Sequence, residues 1–98
     1  MVESSKYSMS CFMIGAIVAK NTSMALDDVY EGKPEAASRI ANAINELETN
    51  QAACLTQDYK ENILDNLHEA YDKVKRRDFN GAEIVLKRLL VSYPFDKL

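Results

Sequence analysis

The residues with the clearest potential for chemistry lie on one face of a segment in the second half of the chain. Asp58, Glu61, Asp65, His68 and Asp72 are spaced three and four residues apart, which places them on one side of an α-helix. Asp65 and His68 have the spacing of a carboxylate–histidine pair that binds a metal ion in helical bundles, but such bundles use two pairs and this chain has 1 histidine. We therefore predict a solvated acidic stripe with no metal and no cofactor. Its four carboxylates would form an acidic rim for docking a basic partner.

Two cysteines, Cys11 and Cys54, are the remaining candidate nucleophiles. Both lie in apolar surroundings, which disfavour the reactive thiolate, and His68 has no serine or cysteine partner at a recognisable spacing. Small secreted scaffolds normally carry four or more cysteines, so two free thiols in the reducing cytoplasm are predicted here. We expect no catalytic residue and no enzymatic activity.

The longest apolar run covers residues 11–19, with the sequence CFMIGAIVA. A membrane-spanning helix needs about 20 apolar residues, so we predict no membrane contact. A secretory signal is the alternative, but the charges of Glu3 and Lys6 cancel and the residues around 17–19 are too bulky for cleavage. The predicted location is cytoplasmic.

A group of basic residues surrounds the last predicted turn. Those before the turn are favoured by the dipole at the end of the preceding helix, and no aromatic residues are interleaved to stack on bases. With a net charge of −3, the chain is predicted not to bind nucleic acid. The group consists of Lys73, Lys75, Arg76, Arg77, Lys87 and Arg88.

The elements that carry these residues are predicted to be helices, because 3 glycines and 2 prolines leave little material for the turns of an all-β fold. Gly32 and Pro34 are typical of a helix C-cap followed by a new first turn. Thr56 and either Asp78 or Asn80 are candidate N-caps, and Pro94 ends the last helix. The 98 residues are too few for two cores, so one domain is expected. It is predicted to be an all-α four-helix bundle or two stacked antiparallel helical hairpins, with helices near 5–31, 34–49, 56–77 and 80–93.

Apolar residues recur with a helical period in the last three of these segments, whereas a short buried strand at 11–18 is an alternative within the first. The predicted core stripes are Ala37, Ile40, Ala41, Ile44 and Leu47; Tyr59, Ile63, Leu67, Ala70, Tyr71 and Val74; and Ala82, Val85, Leu86, Leu89, Leu90 and Tyr93.

The segment from Asn66 to Pro94 resembles a tetratricopeptide helical hairpin. Ala70 and Ala82 match the small residues at the helix crossing, Asp78-Phe79 matches the turn, and Pro94 closes the unit. Asn66 departs from the family, which has a large aromatic residue there. The resemblance implies a scaffold or a small chaperone. A generic four-helix bundle is the alternative, because any antiparallel helix pair needs small residues where it crosses.

A shift of 45 positions aligns the two halves of the chain and supports a repeat of the hairpin. The aligned pairs are Ala25 with Ala70, Asp27 with Asp72, Val29 with Val74 and Ala37 with Ala82.

The first helix is apolar on more than one side, although each helix of a small bundle exposes one face to solvent. We predict that Phe12, Met13, Ile17 and Met24 bind a partner, because flexible methionine-rich surfaces suit adaptable binding. The predicted function is a small protein-interaction module, an adaptor or chaperone that takes an amphipathic helix or a second copy of itself. The alternative is an acidic inhibitor or immunity protein that blocks the basic active site of an enzyme.

Overall fold

The computed structural model describes residues 2–49 and 57–92, and within them the side chains of residues 13–49 and 60–91. These residues form four helices and no strand: α1 (Val2–Tyr30), α2 (Ala36–Thr49), α3 (Gln57–Lys75) and α4 (Phe79–Ser92). The predicted all-α fold is confirmed, and each helix lies within a few residues of its predicted bounds. The alternative strand at 11–18 is wrong, since α1 runs through that segment without a break. Thr56, Pro94, Tyr93 and Cys54 lie outside the described residues.

Both helical hairpins turn in the same way. At the end of α1, Gly32 adopts a left-handed conformation with φ of 66°. Its N–H donates to the carbonyl of Val29 at 3.0 Å, and the N–H of Lys33 donates to the carbonyl of Asp28 at 2.8 Å. This pair of bonds is a Schellman motif, which satisfies the last carbonyls of the helix. The predicted C-cap at Gly32 is therefore confirmed.

The end of α3 repeats this motif with an arginine in place of the glycine. Arg77 has φ of 66°. Its N–H donates to the carbonyl of Val74 at 3.0 Å, and the N–H of Asp78 donates to the carbonyl of Lys73 at 2.7 Å. A left-handed conformation costs a residue with a Cβ about 1 kcal/mol, so this turn stores strain that the first turn avoids.

Asp78 then caps α4. Its Oδ1 accepts a hydrogen bond from the N–H of Gly81 at 3.0 Å, which satisfies one of the free amides in the first turn of the helix. Of the two predicted caps, Asp78 and Asn80, the structure selects Asp78.

The four helices contact one another around a ring. α1 packs against α2 and α4, and α3 packs against α4 and α2, while α1 and α3 lie across a diagonal. Two antiparallel hairpins packed side by side in this way make a four-helix bundle. Among the side chains that the structure describes, the core is apolar apart from Thr22, whose hydroxyl donates to the carbonyl of Val18 at 2.7 Å.

The predicted core stripes are confirmed in large part. On α2, however, Ala41 is exposed and Ala43 is buried. The stripe that faces the core consists of Ile40, Ala43 and Leu47, and Ala41 lies outside it. The helices α1 and α3 bury residues at corresponding positions, 45 apart in the chain: Val18 and Ile63, Thr22 and Leu67, Ala25 and Ala70, and Val29 and Val74.

The helix α1 is twice as long as two of its neighbours. Its 29 residues extend for about 43 Å at 1.5 Å per residue, against about 21 Å for the 14 residues of α2 or of α4. The molecule measures 48 Å along its longest axis, so α1 runs along nearly all of it. Among the described residues, no helix is both long and apolar enough to cross a membrane.

Candidate functional site

Three of the four predicted anchor residues form one exposed stripe on α1. Met13 is 56% exposed, Ile17 is 36% exposed and Met24 is half-buried. At about 100° per residue, these three positions fall within about 40° of arc. They lie about 120° around α1 from the residues that face the core. We call Met13, Ile17 and Met24 the α1 stripe.

The position of the fourth predicted anchor, Phe12, on the helix does not fall within the α1 stripe. It lies about 120° from the α1 stripe on the other flank of the helix, and its side chain is outside the described residues. The structure thus brings together three of the four anchors.

The predicted acidic residues also form one exposed stripe, on α3. Glu61, Asp65 and Asp72 are all exposed and lie within about 40° of arc, nearly opposite the core. Asp58 has a register close to theirs, but its side chain is outside the described residues. The carboxylate of Asp72 binds Arg76 at 3.3 Å in an exposed pair, which stabilises little.

The acidic residues do not border the α1 stripe. They lie on α3, which sits diagonally across the ring from α1, and they point away from the core. Sequence reasoning placed both sets on helix surfaces but did not predict which helices are neighbours. The two sets therefore make separate surfaces rather than one groove with a rim.

Five of the six residues of the basic group, all except Arg77, make side-chain contacts within the described part of the chain. Arg88 donates to Asn66 at 3.0 Å and pairs with Glu69 at 3.6 Å, and Lys73 pairs with Asp78 at 3.7 Å. These cations hold α3 to its turn and to α4.

Lys87 is held between two helices. Its Nζ lies 5.2 Å from the ring centre of Tyr30 and 3.1 Å from Glu83. The side chain of Tyr30, followed by the carboxylate of Glu83, raises the pKa of Lys87 above its usual value. The ammonium joins α4 to the end of α1.

Two exposed apolar residues on α4 escaped the sequence analysis. Ile84 is 62% exposed and Val91 is 83% exposed, and they are seven residues apart on one face. Neither residue falls at the helical spacing of the core stripe that includes Leu86 and Leu89. That spacing could have predicted from the sequence that both side chains lie outside the core.

The candidate metal ligand His68 lies on the surface of the bundle. His68 is exposed and lines a shallow depression of about 230 Å³ between α2 and α3, together with Tyr71, Ile44 and Glu48. Within residues 2–49 and 57–92, no group of three or more histidine, cysteine or acidic side chains is placed to hold a metal ion.

The α1 stripe has no counterpart on α3, although the two helices occupy corresponding places in the two hairpins. The positions 45 residues after Met13, Ile17 and Met24 hold Asp58, Asn62 and Glu69. The same outer face is therefore built with polar residues in one hairpin and with apolar residues in the other.

Comparison of the chain with protein families, with curated proteins and with solved structures found no match. The tetratricopeptide resemblance of residues 66–94 stays a prediction.

Proposed function

We propose that this chain is a small protein-interaction module that binds a helical segment of a partner polypeptide through the α1 stripe. The observation that carries the proposal is the difference between α1 and α3. Both helices bury the same positions, yet the outer face of α3 has Asn62 and Glu69 where α1 has Ile17 and Met24. Because the fold tolerates polar residues there, packing within the chain does not explain the apolar residues of α1.

The shape and chemistry of the α1 stripe suit a helix as the ligand. Met13 and Met24 have flexible, polarizable side chains that adapt to different surfaces, and Ile17 adds a branched side chain between them. A partner helix with apolar residues three and four positions apart would bury this stripe by ordinary helix packing.

An adaptor or chaperone role in the cytoplasm is the finer form of this proposal. The resemblance of residues 66–94 to a tetratricopeptide hairpin supports the role, since such hairpins serve as scaffolds. The number and spacing of Cys11 and Cys54 support a reducing compartment.

The test is affinity capture from native lysate with three forms of the immobilised chain. Wild type and Asn62→Ser should retain the same partner, and Ile17→Ser should lose most of it. Asn62 is the matched control because it is exposed and occupies the position on α3 that corresponds to Ile17. Ile17 is partly exposed, so its replacement should change the stability of the fold by less than about 1 kcal/mol. Equal capture by wild type and Ile17→Ser would contradict the proposal.

An acidic inhibitor is the second candidate, supported by the exposure of Glu61, Asp65 and Asp72 on one face. Negative charge on a surface speeds association with a basic active site, and salt weakens that association. Asp65→Asn combined with Asp72→Asn should then weaken partner capture more than Ile17→Ser does. The reverse order favours the interaction module.

A further inference from the structure

The α1 stripe is part of a longer exposed row with the spacing of a coiled coil. Met13, Ile17, Lys20, Met24 and Asp27 are separated by four, three, four and three residues, and Lys20 and Asp27 are both exposed. These are the alternating spacings at which one helix meets another along a seam. The row covers about 80° of arc and about 21 Å of α1.

The two charges in this row are opposite in sign and available. Neither Lys20 nor Asp27 forms an ion pair with any residue in the part of the chain that the structure describes. The neighbouring Asp28, by contrast, is occupied by Arg39 at 3.4 Å. A ligand that covers the α1 stripe would therefore meet a cation at the middle of the row and an anion at its end.

This order of charges fits a second copy of the same helix running in the opposite direction. If Lys20 of one copy faces Met24 of the other, then Asp27 faces Ile17, and each Lys20 lies within about one turn of the other copy's Asp27. The twofold axis gives two such pairs. A symmetric parallel pair would instead set Lys20 against Lys20 and Asp27 against Asp27.

The corresponding row on α3 lacks this self-complementarity. The positions 45 residues after the five members of the α1 row hold Asp58, Asn62, Asp65, Glu69 and Asp72, so four of five are acidic. Two such rows would repel each other in either direction. Of the two equivalent faces in the molecule, α1 alone is complementary to itself.

We infer that the occupant of the α1 stripe is a second copy of this chain, packed antiparallel along residues 17–27. The inference rests on the proposed function, since it names the partner of the same surface. It makes the chain a symmetric dimer in which Ile17 and Met24 of each copy are covered by the other copy.

The experiment exchanges the two charges and measures dimerisation of the full chain by sedimentation equilibrium. Protein concentrations up to about 1 mM are used, so that a dimer with a Kd of about 1 mM is still detected. Lys20→Glu places an acidic residue near Asp27 of the other copy at two symmetric sites, and Asp27→Lys places a basic residue near Lys20 at the same two sites. Each should weaken dimerisation by roughly tenfold or more. The double variant Lys20→Glu with Asp27→Lys restores opposite charges and should dimerise about as well as wild type.

Asp65→Lys on α3 is the control, because it changes the net charge as Asp27→Lys does at an exposed position outside the row. It should leave the dimer unchanged, and far-ultraviolet circular dichroism should show that all variants are folded. A monomer throughout the concentration range overturns the inference, as does a dimer that is indifferent to these charges.

Sedimentation equilibrium of Ile17→Ser, added to this set, separates this inference from the proposed function. If wild type is monomeric but lysate capture still depends on Ile17, the α1 stripe binds a different polypeptide and only the self-association is wrong. If neither dimerisation nor capture depends on Ile17, both proposals fail.

Discussion

The N-cap of α4 creates an energetic coupling between Asp78 and Gly81 that a double-mutant cycle measures directly. The Oδ1 of Asp78 accepts the N–H of Gly81 at 3.0 Å. A Cβ added at Gly81 would collide with the other carboxylate oxygen of Asp78 and lie 2.9 Å from its Cγ. The same added Cβ would lie 2.9 Å from the Cδ of Lys73, which pairs with Asp78. An alanine at position 81 therefore competes with the cap for space.

The magnitudes follow from these contacts. Asp78→Ala removes the cap, at a cost of about 1 kcal/mol, and the exposed pair with Lys73, at a cost of at most about 0.5 kcal/mol. Gly81→Ala alone gains up to about 1 kcal/mol of helix propensity but forces Asp78 to rotate out of the cap, so the net change is close to zero. In the Asp78→Ala background there is no carboxylate to displace, and the gain of about 1 kcal/mol is recovered. The predicted coupling is about 1 kcal/mol.

The assay is urea unfolding of the four proteins followed by helical circular dichroism, with equal m-values required before the free energies are compared. Asn80→Ala, in the presence and absence of Asp78→Ala, is the control, since Asn80 is exposed and no described contact joins it to the cap. The prediction is refuted if Gly81→Ala stabilises the protein equally with and without Asp78, because the two side chains would then not compete.

Three further predictions concern stability and are checked by the same unfolding measurement. Arg77→Gly should stabilise the protein by about 0.5–1 kcal/mol by relieving the left-handed residue, and Gly32→Ala should destabilise it by about 1 kcal/mol for the opposite reason; changes of the same sign would contradict this. Thr22→Val should be neutral or stabilising by up to about 1 kcal/mol, because the buried hydroxyl adds only a second bond to a carbonyl of its own helix, and a loss above about 1 kcal/mol would show that it has another role. Leu86→Ala should cost about 2–5 kcal/mol by leaving a cavity, whereas Ile84→Ala, two positions away and 62% exposed, should change stability by less than about 0.5 kcal/mol; similar losses would place Ile84 in a packed interface.

The sequence predicted the parts of the fold that depend on local chemistry. Gly32 marked the end of α1 because a left-handed C-cap favours glycine, and Asp78 marked the start of α4 because its carboxylate reaches an amide three residues on. Arg77 was not predicted to adopt the left-handed conformation, since nothing in an arginine favours it. The hydrogen bonds of the surrounding turn maintain it there.

The site was harder to predict because burial depends on which helices are neighbours. The apolar run at the start of α1 did not distinguish Val18, which is fully buried, from Ile17, which is partly exposed, since both are apolar and adjacent. The diagonal placement of α1 and α3 separates the acidic residues from the α1 stripe, and no local pattern encodes that placement. Periodicity identifies a face of a helix, and the packing of the other helices decides what covers it.

The two hairpins share their buried positions and differ on their outer faces. Ala25 and Ala70, like Val29 and Val74, are buried at corresponding positions, so the bundle requires small or branched apolar residues there in both hairpins. The outer faces of the two hairpins share no such requirement. They differ in chemistry, with the apolar α1 stripe on one hairpin and acidic residues on α3 in the other. Exposing apolar area costs solubility and leaves hydrophobic stabilisation unrealised until something covers it. We propose that a ligand covers this surface, which the fold does not need and water disfavours, and the opposite charges of Lys20 and Asp27 favour the same helix reversed as that ligand.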